Sequence, residues 1–178
     1  MATYFVMSFR EEKYQEVCRR LEALLAGQTD EVACLATVCC ELFHGFENFH
    51  WVGFYRVTSP RVLTVGPYQG GHGCLKISFD RGVCGAAART KQVQIVGDVK
   101  AVVDHIACST STQSEIVLPI MDAAGDLRAV LDVDSDDLAS FDDVDEVHLT
   151  KVCKLLTRAC YSNEYPTSSR VKPSAGAQ

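Results

Sequence analysis

Three cysteines lie in a glycine-rich and polar stretch of the chain, where a thiol can take part in redox chemistry. Cys74 follows a glycine, Cys84 precedes one, and Cys108 stands three residues after His105. Glycine and small polar neighbours are typical of loops, which leave side chains accessible. An attacking thiolate needs a second thiol nearby to resolve its oxidised product. We therefore predict thiol redox chemistry at Cys108, Cys74 and Cys84.

The surroundings of two of these cysteines are expected to favour the reactive thiolate. His105 and several Ser and Thr donors flank Cys108. Cys84 precedes a predicted helix start, where the helix dipole stabilises negative charge. The sequence leaves open whether Cys74 or Cys84 is the resolving thiol. The other cysteines are predicted to be small apolar residues of amphipathic helices: Cys18, Cys34, Cys39, Cys40, Cys153 and Cys160.

Carboxylates recur on one face of a predicted β-hairpin. Asp132 and Asp134 are two residues apart in a strand pattern, so they share a face. Glu115, at the start of the partner strand, adds a third acid to that patch. Acids that lie close together repel each other, which raises the pKa of one of them. A carboxyl that stays protonated can donate a hydrogen bond to a substrate oxygen. The alternative is that Asp132 and Asp134 lie on a solvated strand face. Trp51 also has an alternative, as a core residue rather than a ligand platform.

Composition limits the classes of function. The chain has 178 residues, 47% of them hydrophobic, which suits one globular domain. A net charge of -6 without a basic stripe argues against nucleic acid as a partner. No apolar run reaches the ~18 residues of a membrane span, and no secretion signal is visible. These features favour a cytoplasmic protein, in which nine cysteines would not form a structural disulfide framework.

No metal site and no cofactor are predicted from spacing. The chain lacks a Cys-x2-Cys pair, and its histidines do not follow a metal-ligand pattern. The glycine-rich segment 66–71 lacks the Lys-Ser/Thr pair of a phosphate-binding loop.

Hydrophobic periodicity predicts helices and strands in an order that favours an α+β fold. Residues 1–163 are expected to form a single domain, with a central antiparallel sheet flanked by helices, and residues 164–178 a disordered tail. Residues 66–85 are expected to be a functional loop that carries one short strand. The predicted helices are 9–26, 29–43, 85–89 and 140–161, and the predicted strands are 50–57, 62–65, 75–79, 92–96, 115–121 and 127–134.

Six short motifs, taken in order, resemble the free methionine-(R)-sulfoxide reductases, a family of GAF-domain enzymes. They are HWVGFY (residues 50–55), GPYQG (66–70), RGVCG (81–85), HIAC (105–108), SEIV (114–117) and LDVDS (131–135). The resemblance covers about residues 10–160. It implies a GAF-like fold and the reduction of the R epimer of free methionine sulfoxide, a reaction that protects cells under oxidative stress.

The resemblance also implies roles for the candidate residues. Cys108 matches the attacking cysteine and Cys74 the usual resolving one, whereas Cys84 matches a second recycling thiol or an auxiliary residue. The acids and the tryptophan match the substrate pocket: Glu115, Asp132, Asp134 and Trp51. The implied cycle runs through a sulfenic acid and an intramolecular disulfide, which a thioredoxin-like reductant restores.

Two other functions are compatible with the same residues. A GAF domain can bind a small ligand as a sensor without turnover, and it can also sense oxidants through its cysteines alone. Both alternatives predict no methionine release from methionine sulfoxide. A homodimer formed through the first and last helices is a further expectation.

Overall fold

The computed structural model describes residues 8–102 and 109–162. His105, Cys108 and the predicted tail at 164–178 lie outside these ranges. Four α-helices and six β-strands are present in the described part: α1 (Phe9–Leu24), α2 (Glu31–Gly45), β1 (Trp51–Ser59), β2 (Val62–Gln69), β3 (Lys76–Ser78), α3 (Gly82–Thr90), β4 (Gln94–Val96), β5 (Ser114–Met121), β6 (Leu127–Ser135) and α4 (Asp143–Cys160). None of the helices in these ranges is long and apolar enough to cross a membrane.

The six strands form one antiparallel sheet in the order β3-β2-β1-β6-β5-β4. The hairpins β1–β2 and β5–β6 come together because β1 pairs with β6 along Trp51–Arg56. This central pairing brings the first residues of β1, the end of β6 and the start of β5 to the same end of the sheet. The predicted α+β class and the single domain are confirmed.

One face of the sheet packs against α2 and α4, and α1 packs on these two helices. Alternate strand residues such as Phe54, Leu118 and Leu131 are fully or almost fully buried there, against helix residues such as Leu21 and Leu149. Burial of this many large apolar side chains supplies the main driving force for folding. The period of two in each strand sends the intervening residues to the opposite face.

The opposite face is covered by α3 and forms a second, smaller core. Val83, Ala87 and Ala88 of α3 pack with Tyr55 and Val130 of the central strands. The small residues of α3 let the helix lie close to the sheet. A Cβ at Gly85, for example, would lie 2.5 Å from the Ser78 carbonyl oxygen. The chemistry-bearing residues lie at one end of this second core.

Capping side chains define where the two flanking helices begin. Ser8 caps α1 in a reciprocal capping box with Glu11, and Asp142 caps α4 in the same way with Asp145. Arg10 of α1 forms ion pairs with both Asp142 and Asp145, and so ties the two helix starts together.

Most element boundaries differ from the sequence predictions by a few residues, and three of these differences have a clear cause or consequence. Strand β2 continues to Gln69, so residues 66–69 are strand rather than loop; their glycine and proline masked the strand pattern. Helix α3 begins at Gly82 rather than at residue 85. Helix α4 begins at Asp143 because Asp142 is its cap. The earlier start of α3 changes the environment of Cys84.

Candidate active site

A small cavity of about 40 Å³ opens between α3, the β2–β3 loop and one end of the central strands. The predicted site residues that line it are Trp51, Cys84, Glu115, Asp132 and Asp134. A cavity of this volume has room for a few water molecules or an ion. Residues remote in sequence are thus brought together by the pairing of β1, β5 and β6.

The three acids share one face, as the strand alternation predicts. Asp134 lies opposite Trp51 on one side and Glu115 on the other, and Asp132 is opposite Gly53. Glu115 is 5% exposed and Asp132 is 6% exposed, whereas Asp134 is partly accessible. The alternative that Asp132 and Asp134 lie on a solvated strand face is therefore wrong for Asp132, whereas Asp134 keeps some contact with solvent.

Burial and crowding change the acidity of the aspartates. Burial, and then the nearby charge of Glu115, raise the pKa of Asp132 well above the usual aspartate range. Burial, followed by the charges of Asp132 and Glu115, raises the pKa of Asp134 in the same direction. A carboxyl held in its neutral form is a hydrogen-bond donor, which an ordinary surface carboxylate is not.

Cys84 differs from its predicted environment. It lies in the first turn of α3, is 4% exposed, and its Sγ donates a hydrogen bond to Asp132 Oδ2 at 3.2 Å. Burial, with the charges of Asp132 and Glu115, raises the pKa of its thiol well above the usual cysteine value. The expected acidic, accessible thiol at the helix start is therefore wrong, because burial and the neighbouring acids disfavour the thiolate.

Cys74 lies in the β2–β3 loop and is partly exposed, as its glycine-rich context predicts. It is disulfide-bonded, whereas the other cysteines of the described ranges are free thiols. Cys108, the predicted attacking residue, lies outside those ranges. The structure therefore brings Cys84 to the acids and gives Cys74 a separate position at the loop.

Trp51 is both a core residue and part of the cavity wall. Its ring stacks on Tyr55 and on Tyr68, and its Nε1 donates a hydrogen bond to the Gly71 carbonyl oxygen at 3.1 Å. Gly53 leaves the space that the ring occupies, since a Cβ there would lie 2.3 Å from an indole carbon. The packing of the ring fixes one wall of the cavity and anchors the loop that leads to Cys74.

Tyr55 is a site residue that the sequence reasoning missed. Its side chain is 1% exposed, lines the cavity, and its hydroxyl is hydrogen-bonded to the backbone of Cys74. Burial, and then the charge of Asp132, raise the pKa of this hydroxyl, so it stays a neutral donor. The period of two in β1 places Tyr55 on the same face as Trp51, which is the signal that could have found it.

Comparison with known proteins places this arrangement in a class. Residues 28–160 match the GAF domain family. A GAF domain-containing protein A from Dictyostelium discoideum is 46% identical over 83% of this chain and 92% of its own length. A free methionine-R-sulfoxide reductase from Saccharomyces cerevisiae is 38% identical over 85% of this chain and 87% of its own length.

A solved structure agrees with both the fold and this similarity. The free methionine-R-sulfoxide reductase from Neisseria meningitidis, determined in complex with its substrate, is 42% identical, has a TM-score of 0.81, and covers 89% of this chain and 94% of its own. The chain is thus a GAF-domain protein. Within that class it belongs to the family of the free methionine-R-sulfoxide reductases.

Proposed function

We propose that the protein reduces free L-methionine-(R)-sulfoxide to methionine by cysteine chemistry. The observation that carries this proposal is the group of buried acids beside a tryptophan wall and next to the loop of Cys74. The family relationship supports it, since relatives of 38% and 42% identity are named free methionine-R-sulfoxide reductases.

The first chemical step needs an electrophilic sulfur. A sulfoxide sulfur becomes electrophilic when its oxygen accepts a strong hydrogen bond, and a neutral carboxyl supplies one. Asp132 fits this role because its pKa is raised by burial and by Glu115. Asp134, which is more accessible, can hold the substrate ammonium group in its ionised form, because that positive charge offsets the repulsion that raises its pKa. These acids account for recognition of a polar, zwitterionic substrate rather than an apolar side chain.

The second step is attack by the Cys108 thiolate on the substrate sulfur. The attack forms a bond between the Cys108 sulfur and the substrate sulfur, whose oxygen takes a proton. This S–S bond and the S–O bond of the substrate then break as the oxygen passes to the Cys108 sulfur. Methionine leaves, and Cys108 becomes a sulfenic acid, oxidised by the two electrons that reduce the sulfoxide. A second thiol then attacks the Cys108 sulfur, a disulfide forms and water leaves. A dithiol reductant of the thioredoxin class returns both thiols by exchange and becomes a disulfide itself. Such a reductant implies a reducing compartment such as the cytoplasm.

Cys74 is the better candidate for the resolving thiol. It is partly exposed in a loop and is engaged in a disulfide, so its position is compatible with exchange. Cys84 is almost fully buried, is a free thiol, and its pKa is raised by burial and by Asp132. A thiol of this kind is a poor nucleophile, and we assign Cys84 an auxiliary role in the acid pocket.

The substrate is expected to bind the reduced protein. The structure carries the disulfide at Cys74, and its cavity of about 40 Å³ is narrow beside the roughly 300–1,000 Å³ that is usual for ligand pockets. Binding to the reduced form alone would also keep substrate away from an enzyme that lacks a free attacking thiol.

The experiment compares three compounds with reduced protein in the presence of dithiothreitol: the free R epimer, the free S epimer, and an N-acetylated, C-amidated R sulfoxide. Methionine release from the free R epimer only is expected, and Cys108→Ser should abolish it. Cys40→Ser, an exposed cysteine of α2, is the matched control that should keep full activity. No release from any compound would contradict the reductase and favour a ligand or redox sensor.

A further inference from the structure

We propose that Cys84, Glu115 and Asp132 form a binding site for a thiophilic divalent cation, with Zn²⁺ as the biological example. We further propose that the bound cation takes the place of the sulfoxide oxygen and inhibits the enzyme. The inhibition rests on the proposed function, but the cation site does not.

The donor atoms have the spacing that one ion requires. One ligand atom from each of Cys84, Glu115 and Asp132 lies within 4.8 Å of the other two, and all three residues are buried. Cys84 Sγ and Asp132 Oδ2 are 3.2 Å apart. Bond lengths of about 2.3 Å to sulfur and about 2.0 Å to oxygen put two tetrahedral ligands of Zn²⁺ roughly 3.5 Å apart. Small side-chain shifts therefore suffice for coordination.

Asp132 also has a buried carboxyl oxygen that a cation would satisfy. Asp132 Oδ1 is buried and has no hydrogen-bond partner within residues 8–102 and 109–162. The side chain as a whole is 6% exposed. A buried polar atom of this kind is costly to leave unpaired and calls for a ligand, a water molecule or an ion. A cation between the thiol and the two carboxyls satisfies this oxygen.

The crowding of acidic groups in the pocket favours a cation. Ligand atoms of Cys84, Glu115 and Asp132 are buried within 4.8 Å of one another, so their ionised forms repel each other unless a positive charge lies between them. A divalent ion relieves this repulsion and displaces the thiol proton, so that Cys84 binds as thiolate and a proton is released to solvent. Ligands held on α3, β5 and β6 are also rigid, which reduces the entropic cost of binding.

The donor set selects the kind of metal. One thiolate with two carboxylates suits Zn²⁺ or Co²⁺, whereas Mg²⁺ and Ca²⁺ prefer oxygen ligands only. The adjoining cavity leaves space for a water molecule as the fourth ligand. The three ligands come from three separate elements, and no short sequence motif joins them.

The first test titrates reduced protein, freed of reductant and kept anaerobic, with Co²⁺. We expect one equivalent to bind and to give a thiolate-to-Co²⁺ charge-transfer band, which Zn²⁺ then removes. Cys84→Ser should abolish the band and weaken Zn²⁺ binding by more than about 100-fold, since loss of even an outer-shell partner costs 10- to 100-fold. Asp132→Asn, which preserves the side-chain shape, should weaken binding as well. Circular dichroism checks that each variant is folded.

Two other cysteine variants complete the design. Cys74→Ser and Cys40→Ser should keep the band, because neither residue is a proposed ligand. A band that survives Cys84→Ser, or one that Cys74→Ser removes, would overturn the site. Wild-type protein without any band would do the same.

Turnover is measured separately, so the two proposals fail independently. With a cation site and an active enzyme, Zn²⁺ should inhibit competitively against free methionine-(R)-sulfoxide, and EDTA should restore the rate. A Co²⁺ band without turnover would support the cation site and contradict the reductase. Turnover that is insensitive to Zn²⁺, in protein that shows the band, would overturn the inhibitory role.

Discussion

The Cys84 thiol donates a hydrogen bond to Asp132 Oδ2 across 3.2 Å, and this contact joins the first turn of α3 to the acidic strand β6. The acceptor carboxyl is buried beside Glu115 and has a raised pKa. The contact and the burial of Cys84 hold its thiol as a neutral donor, which disfavours thiol–disulfide exchange at this residue. This contact is the reason that we assign Cys84 an auxiliary role and Cys74 the resolving role.

Replacing Asp132 by Asn tests the acid that we assign to the sulfoxide oxygen. The amide cannot transfer a proton, so kcat/KM for free methionine-(R)-sulfoxide should fall by about 10²- to 10⁴-fold, the usual contribution of a general acid. Thermal stability should change little, because the amide keeps the shape of the side chain and, like the neutral carboxyl, carries no charge beside Glu115. Asp126→Asn, an exposed residue of the β5–β6 turn, is the control and should keep wild-type activity. Full activity of the Asp132 variant would exclude this acid from the reaction.

Serine substitutions at Cys74 and Cys84 distinguish the resolving thiol from the auxiliary one. With a thioredoxin-like reductant, Cys74→Ser should stop after one turnover, because the sulfenic acid finds no thiol partner. Cys84→Ser should continue to cycle, since its thiol is buried and its pKa is raised by burial and by Asp132. Steady-state rates, with mass spectrometry of the trapped intermediates, check both outcomes. The reverse pattern would make Cys84 the resolving residue.

Much of the site follows from strand alternation, while its finer arrangement depends on packing. The period of two in β6 predicts that Asp132 and Asp134 share a face, and the β5–β6 pairing adds Glu115. The environment of Cys84 was not predictable, because it depends on where α3 begins and on acids almost fifty residues away. The strand pattern could not show that these acids are buried either, because α3 covers this face of the sheet only in the folded protein. The sequence thus shows which side chains are acids or thiols, whereas tertiary contacts set the pKa values of these groups.

Gly53 is expected to be essential for the cavity wall. A Cβ there would lie 2.3 Å from an indole carbon of Trp51 and 2.6 Å from Cβ of Tyr68. Gly53→Ala should therefore displace the Trp51 ring and destabilise the protein by about 1–3 kcal/mol, as overpacking does. Gly71→Ala is a matched control, because a Cβ at that position meets nothing within 4 Å. Urea unfolding and the fluorescence of the single tryptophan measure both effects; equal stabilities for the two variants would contradict the prediction.

The start of α4 should contribute stability that is lost at low pH. Burial alone would raise the pKa of Asp142, but hydrogen bonds from Arg10 and from the Val144 backbone outweigh it, and the net pKa is lowered. A carboxyl with a lower pKa in the folded chain stabilises the fold above its unfolded pKa of about 3.9, and this contribution disappears as the pH falls through the folded pKa.

Asp142→Asn isolates that contribution, because asparagine still caps the helix but carries no charge. The ion pair with Arg10 is partly exposed, so at pH 6 the variant should be less stable by only about 0.5 kcal/mol. The difference should shrink as the pH falls toward 2 and through the folded pKa of Asp142, because the wild-type carboxyl then also becomes neutral. Asp143→Asn, exposed in the same helical turn, is the control and should track the wild-type protein at both pH values. Urea unfolding at the two pH values makes the comparison, and a stability difference that is as large at pH 2 as at pH 6 would show that the Asp142 charge is not its cause.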